Sequence, residues 1–188
     1  MKLRNLLPLF ALLSVPLSAA EFNQVQTDKS SVAFAYKQMG VPSEGKFRKF
    51  AVAIAFDPGK PAAASAQLDI DLASIDTGSK EGDEEVAGKL WFNTKSYPQA
   101  RFVSSSVKAL GGNHYEVTGK LTIKGRTQEV SAPFTYRQEG AAAVFDGGFV
   151  LKRLDFAIGE GIWADVGTVA NEVRITFHVV ASAAPVKK

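Results

Sequence analysis

The sequence predicts an all-β protein: one antiparallel sheet of about eight strands that closes on itself as a barrel, with one short helix. Three observations predict it. Apolar residues recur at every second position along most of the chain, the period of a strand with one buried face. Turn-forming stretches rich in glycine separate these runs, three of them short enough for hairpins. No internal repeat or linker divides the chain, so the strands share one core. Closure is expected because an open sheet leaves two unpaired edges in water.

The chain opens on what reads as an export signal. Lys2 and Arg4 make a short basic start, and Leu6 to Leu17 is apolar but too short and proline-broken to span a bilayer. Ser18-Ala19-Ala20 supplies the small residues of a cleavage site. An interfacial anchor that stays attached would share the apolar run but usually lacks that exit. Cleavage after Ala20 would place the mature protein, one domain over residues 21–188, in the periplasm.

Strands then follow in order. Val32, Phe34 and Tyr36 alternate in one run, Phe50, Val52, Ile54 and Phe56 in a second, and Leu68, Ile70 and Leu72 in a third. Val117, Leu121 and Ile123 lead to Val130, Phe134 and Tyr136, and Val173, Ile175, Phe177 and Val179 close the sheet. Asp57-Pro58-Gly59 turns the chain early, while Gly111-Gly112-Asn113, Lys124-Gly125-Arg126 and Glu139-Gly140 are the hairpin turns. Lys80 to Leu90, KEGDEEVAGKL, lacks alternation and carries helix-favouring charges. It reads as the short helix, or an ordered loop, running into Trp91-Phe92-Asn93, either as a cap on the barrel or as a solvated face. Gly147, Gly148, Phe149 and Leu151 form a strand that enters an irregular, glycine-rich return over 155–167.

Composition excludes several chemistries. Of 22 basic residues two lie in the leader, so 20 face 19 acidic ones, and no lysine or arginine stripe invites nucleic acid. The absence of cysteine removes disulfides, thiol catalysis and cysteine metal sites. Neither His114, after a turn, nor His178, at outward parity, looks poised for catalysis, and the absence of H-x-x-x-H spacing makes a transition-metal site improbable. No nucleophile elbow, P-loop or dinucleotide fingerprint occurs. Asp69 and Asp71 share the outward face of a strand, as surface residues by default. No cofactor and no catalytic residue is expected.

Several motifs, in order, resemble the YceI-like periplasmic proteins. They are Asp28-Lys29-Ser30 with Val32 and Phe34, Glu44-Gly45-Lys46-Phe47 followed by Phe50, and Ser74-Ile75-Asp76-Thr77-Gly78. Phe92 with Tyr97-Pro98 and Phe102 comes next, then Val117-Thr118-Gly119-Lys120-Leu121-Thr122-Ile123-Lys124-Gly125. The resemblance implies a lipocalin-like extended barrel that binds a polyisoprenoid or similar long-chain amphiphile. Histidines that many members carry are missing: Lys29 or Ser30 stands at one position and Gly82-Asp83-Glu84-Glu85 at the other, so no role of theirs transfers. Gln38 to Pro42 and Leu151 to Asp165 resemble a subgroup associated with cytochrome b561-type membrane proteins, which adds such a protein as a partner.

An eight-stranded barrel is either just filled by side chains or able to hold one slender ligand. The 13 phenylalanines are compatible with both, and small residues such as Gly119 and Ala132 favour a tunnel. The expected tail-lining residues are Phe34, Ile54, Phe102, Ile123, Phe134 and Phe149, and the expected mouth residues Trp91, Phe92, Phe156 and Trp163. The expected partner is a long-chain isoprenoid, a polyprenyl compound or an isoprenoid quinone; a homo-oligomer stays open. Lys152 and Arg153 either meet an anionic head group or, the favoured reading, pair with Asp155, Glu160 and Asp165. The alternatives are a filled-barrel accessory module of a membrane electron-transfer or stress-response system and, less favoured, a lipid-modifying enzyme.

Overall fold

The computed structural model describes residues 21–184; the expected export signal lies outside them. The strands are β1 (Phe22–Val25), β2 (Ser31–Gln38), β3 (Val41–Phe47), β4 (Phe50–Ala55), β5 (Ser65–Asp71), β6 (Ile75–Asp76), β7 (Gln99–Gly111), β8 (His114–Ile123), β9 (Arg126–Glu139), β10 (Ala142–Lys152) and β11 (Glu172–Ala183). The helix α1 spans Lys80–Ala87. The sheet runs β4-β5-β7-β8-β9-β10-β11-β2-β3-β6, with β1 on β11. Its pairings are antiparallel.

The three expected hairpins form. At Lys124 and Gly125 φ is 49° and 74°, two left-handed residues in succession, the turn that matches the right-handed twist of paired strands. A fourth hairpin, between β2 and β3, turns the same way at Met39 and Gly40, with φ of 50° and 80°. The structure has eleven strands rather than about eight because β1 and β6 are 4 and 2 residues long, too short to alternate. In β3, VPSEGKF, proline and glycine interrupt any apolar rhythm.

The curled sheet closes as a half-barrel, through corner contacts rather than an unbroken ladder. At one corner Phe22 N donates to Phe56 O at 2.9 Å and Phe56 N to Phe22 O at 3.1 Å, joining β1 to the end of β4. At another, β6 pairs with β3, and the buried Ser74 hydroxyl accepts from Lys49 N at 2.9 Å and donates to Asp71 O at 2.6 Å.

Two clusters make the core. Around the β1–β4 corner, Phe56 lies 5.0–6.3 Å from the rings of Tyr115, Phe134, Tyr136 and Phe145, an aromatic plug. The second cluster includes Val32, Leu72, Trp91, Ile123, Leu151 and Phe156. Helix α1 packs Val86 on that cluster while its charged side chains stay outside, so it is both cap and solvated face. Its N-terminus is fixed twice: Ser79 Oγ accepts from Gly82 N at 3.0 Å, and Asp83 accepts from Thr77 N and Oγ1 at 2.7 and 2.8 Å. On the outer face Asp69 pairs with Arg101, and His178 Nδ1 meets Asp146 at 2.6 Å, surface contacts rather than a catalytic pair.

Candidate functional site

The barrel is hollow at the end opposite the plug. A cavity of about 800 Å³ is lined by β2, β3, β5, β7, β8, β9, β10, β11 and α1, with Gln38, Ser43, Thr77, Ser79, Glu81 and Glu85 as its polar rim. A smaller apolar pocket of about 110 Å³ lies toward the plug and shares Val32, Leu68, Phe102, Val117 and Phe177 with the larger one.

Three glycines explain how a phenylalanine-rich barrel stays open. A Cβ on Gly45, Gly119 or Gly147 would fall no more than 2.6 Å from the Cζ of Phe34, Phe102 or Phe177 respectively. Phe34 faces Gly45 across the β2–β3 pair, and Phe177 faces Gly147 across β10–β11. Each ring lies back over bare backbone, against the wall instead of across the lumen. Gly119 therefore makes room indirectly, by seating Phe102.

The expected site residues divide accordingly. Phe34, Phe102, Ile123 and Phe149 line the large cavity, together with Trp91, Phe92 and Trp163. Ile54 and Phe134 line only the small pocket, beside the plug. Phe156 lines neither: the turn Arg153–Phe156 ends on Ala157 in the left-handed region, which leaves Phe156 2% exposed in the core rather than at a mouth.

The return over 155–167 is built differently from its expected charge pairs. Arg153 is only 1% exposed and hydrogen-bonds no carboxylate. Its guanidinium donates to the carbonyls of Ala170 (3.1 Å), Ile158 (2.9 Å), Gly159 (3.1 Å) and Val169 (2.6 Å), stapling both sides of the loop. Burial pulls its pKa down, with Asp165 opposing. Lys152 stays exposed. Glu160 instead meets Lys124 Nζ at 2.8 Å, and that hydrogen bond holds its carboxyl below the ordinary range. Lys124 also donates to Lys89 O at 3.1 Å and Ala157 O at 2.8 Å, tying the segment after α1 to the loop. Asp165 accepts from Gly167 N at 3.0 Å and Thr168 Oγ1 at 2.8 Å, which lowers its pKa. The three acids are thus turn and rim residues. The stapling roles of Arg153 and Lys124 escaped the sequence reading because their partners are largely main-chain carbonyls, which leave no complementary side chain to find.

Arg153 Cζ sits 5.5 Å from the centroid of Trp91, whose ring is 5.4 Å from that of Trp163. Among the described residues no group of three or more His, Cys, Asp or Glu is placed to hold a metal ion. The chamber supplies apolar surface and a polar rim, and its volume falls within the ~300–1,000 Å³ of ordinary small-molecule sites.

A curled antiparallel sheet around one apolar chamber defines a lipocalin-like barrel of the ligand-binding type. More narrowly, residues 24–181 match the YceI-like domain, and the chain belongs to that family. A UPF0312 protein of Azotobacter vinelandii is 32% identical over 141 residues, covering 72% of this chain and 71% of its own length. BcnA of Burkholderia cenocepacia has a crystal structure that superimposes with a TM-score of 0.83 at 52% identity, covering 85% of this chain and 100% of BcnA. A polyisoprenoid-binding domain from Saccharophagus degradans, implicated in plant cell wall breakdown, shares the fold at a TM-score of 0.65 and 16% identity, covering 88% and 99%.

Proposed function

We propose that this protein is a periplasmic carrier for one long isoprenoid, a polyprenyl compound or an isoprenoid quinone, with its tail in the barrel and its head toward the rim. The observation that carries the reading is the chamber of about 800 Å³, lined mostly by apolar side chains, with polar residues at its rim and Arg153 in its wall. At about 25 cal/mol per Å² of apolar surface buried, a long tail binds tightly there without a charged anchor. A neighbour of the same fold described as a polyisoprenoid-binding domain supports the ligand class. A filled barrel, the rival reading, is difficult to square with a cavity of that size. The cytochrome b561-type partner suggested by the subgroup resemblance fits the quinone form of the proposal, since a quinone is electron-transfer cargo. Export rests on the sequence of residues 1–20, and N-terminal sequencing of the secreted protein should begin at Glu21.

The test is mass spectrometry of an organic extract of protein purified from its native host, followed by titration of the delipidated protein. An isoprenoid in the extract, and a change in tryptophan fluorescence with a raised Tm on adding it back, are the expected results. No lipid in the extract and no response to a polyprenyl ligand or a quinone would end the carrier reading.

A further inference from the structure

The exposed apolar side chains gather at one end of the molecule. Met39, Val41, Leu90, Ile162 and Val166 all belong to the turns and loops of the hollow end, and Met39 and Ile162 are 77% and 79% exposed. The hairpin tips at the plug end are Gly111-Gly112-Asn113 and Glu139-Gly140, and beside them Leu110 is the one large apolar residue exposed among those described. Isolated exposed apolar residues are ordinary on any surface; several around one opening mark a contact.

These residues continue the lining of the chamber outward. Met39 follows Gln38, Leu90 precedes Trp91 and Ile162 precedes Trp163, and each of those neighbours lines the cavity. Val41 has the inward parity of Ser43, another lining residue, but stands beyond the end of the wall, 63% exposed. Backbone hydrogen bonds join the pieces into one rim. Met39 N donates to Thr168 O at 2.8 Å, just past Val166, and Gly159 N and Glu160 N donate to Leu90 O at 2.9 and 2.7 Å, just before Ile162. Met39 also breaks a local rule: it holds the first left-handed position of the β2–β3 turn, φ 50°, where asparagine, aspartate or glycine is favoured, and it gains little from packing there. Such a residue left in water at the mouth of an apolar chamber points to a use outside the folded chain.

The occupant of the rim follows from the chamber. A cargo that prefers apolar surroundings resides in a lipid bilayer before it is bound, so the mouth has to meet that bilayer. A protein seated on the same rim would instead cover the opening. Charges beside the collar are mixed, Lys37 and Lys89 against Glu81 and Glu85 on α1, which gives no net pull toward anionic lipid. Contact then rests on apolar side chains entering the membrane interface.

Resting on the isoprenoid reading above, we propose that Met39, Val41, Leu90, Ile162 and Val166 form a docking collar that seats the mouth of the chamber on a bilayer of zwitterionic lipid. There the tail passes between membrane and barrel without crossing water.

Delipidated protein is floated with phosphatidylcholine vesicles at low and at high salt, and uptake of a prenylated benzoquinone is followed from the same vesicles and, separately, from dilute detergent. The unaltered protein should bind the vesicles at both salt concentrations, with no gain on adding phosphatidylglycerol. Met39→Asn with Ile162→Asn should weaken vesicle binding about tenfold or more and slow uptake from vesicles by a similar factor, while affinity for quinone presented in detergent stays unchanged. Met39→Asn alone should keep or raise Tm, because asparagine suits the left-handed position, and still lose about threefold in vesicle binding. Leu110→Asn, the same change at the plug end, should leave vesicle binding as it is. Vesicle binding that is absent, that depends on phosphatidylglycerol or that survives the double variant would overturn the collar and leave the carrier reading to its own titration. Binding to membranes of the native host but not to pure lipid would give the rim to a membrane protein, and a dimer in light scattering that the double variant abolishes would give it to a second copy of this chain; either result overturns the inference. No affinity for the quinone or a polyprenyl ligand from detergent would overturn the carrier reading itself, and the passage of cargo through the collar with it.

Discussion

Gly119→Ala tests whether glycine-seated rings are what keep the barrel open. The new Cβ would stand 2.6 Å from Phe102 Cζ and closer still to the Val103 carbonyl, where real Cβ atoms essentially never sit. The carbonyl belongs to β7, paired with β8 on either side of this point, so the backbone yields only by disturbing that ladder. The ring is the softer partner, and it moves into the space it borders, the wall common to both pockets. Overpacking of this kind costs about 1–3 kcal/mol. For a domain of this size that lowers Tm by roughly 3–10 °C in a calorimetric scan. Affinity for a long-chain ligand should fall about tenfold or more, because the displaced ring narrows the lumen where the tail passes. Adding Phe102→Leu should restore part of both losses, a coupling expected only if Cβ and ring compete for one volume. A Tm and an affinity both unchanged in Gly119→Ala would refute the reasoning.

Ala132→Phe adds bulk where a small residue faces the chamber, and protein purified from the native host should then lose its co-purified lipid while circular dichroism stays mostly strand. Arg153→Lys keeps the charge but cannot reach all four carbonyls of the loop, so thermal unfolding should show a loss of about 2–4 kcal/mol. Asp69 is held below its ordinary 3.8 chiefly by the Arg101 hydrogen bond and Asp76 by Arg48; Asp146, which burial pushes up, is still held below 3.8 by His178 and Arg137. Folded pKa values below the unfolded ones mean that these groups stabilise the fold above pH 3.8 and lose that contribution as the pH falls through the folded values. Tm should therefore drop on acidification below about pH 4, and Asp69→Asn should flatten part of the drop.

What the chain discloses in advance depends on whether the cause is local. Alternation over 117–123 and 173–179 and the glycines of the three hairpins reveal strands and turns, because face and turn type are properties of adjacent residues. The missing alternation and helix-favouring charges of Lys80 to Leu90 likewise point to α1, which spans Lys80–Ala87. Phe134 and Phe149 have the same inward parity, yet one sits at the plug and the other at the chamber, since that difference lies in what faces them across the sheet. Arg153 was legible only as a charge beside three acids; its burial against four carbonyls is a property of the closed loop.

The two ends of the barrel divide the work of stability and of binding. The plug brings Phe56, Tyr115, Phe134, Tyr136 and Phe145 into mutual contact, where aromatic pairs contribute about 0.5–1.5 kcal/mol beyond the area they bury. The hollow end keeps pairs such as Trp91–Trp163 and Phe34–Phe47 along its wall but forgoes contacts across the lumen, since atoms facing that space have no packing partner on that side. It is held instead at its wall, by Arg153 across the 153–170 loop and, from outside the lumen, by Lys124 from the β8–β9 turn to Lys89, Ala157 and Glu160. Main-chain staples suit a wall that has to stay rigid whether the chamber is empty or full, because they do not depend on a side chain entering the space a ligand would occupy. A polar residue stationed inside the lumen to do the same job would have to be desolvated each time an apolar tail arrived. The placement of Arg153 and Lys124 at the wall, rather than within it, is thus what allows this end to be both stable and hollow.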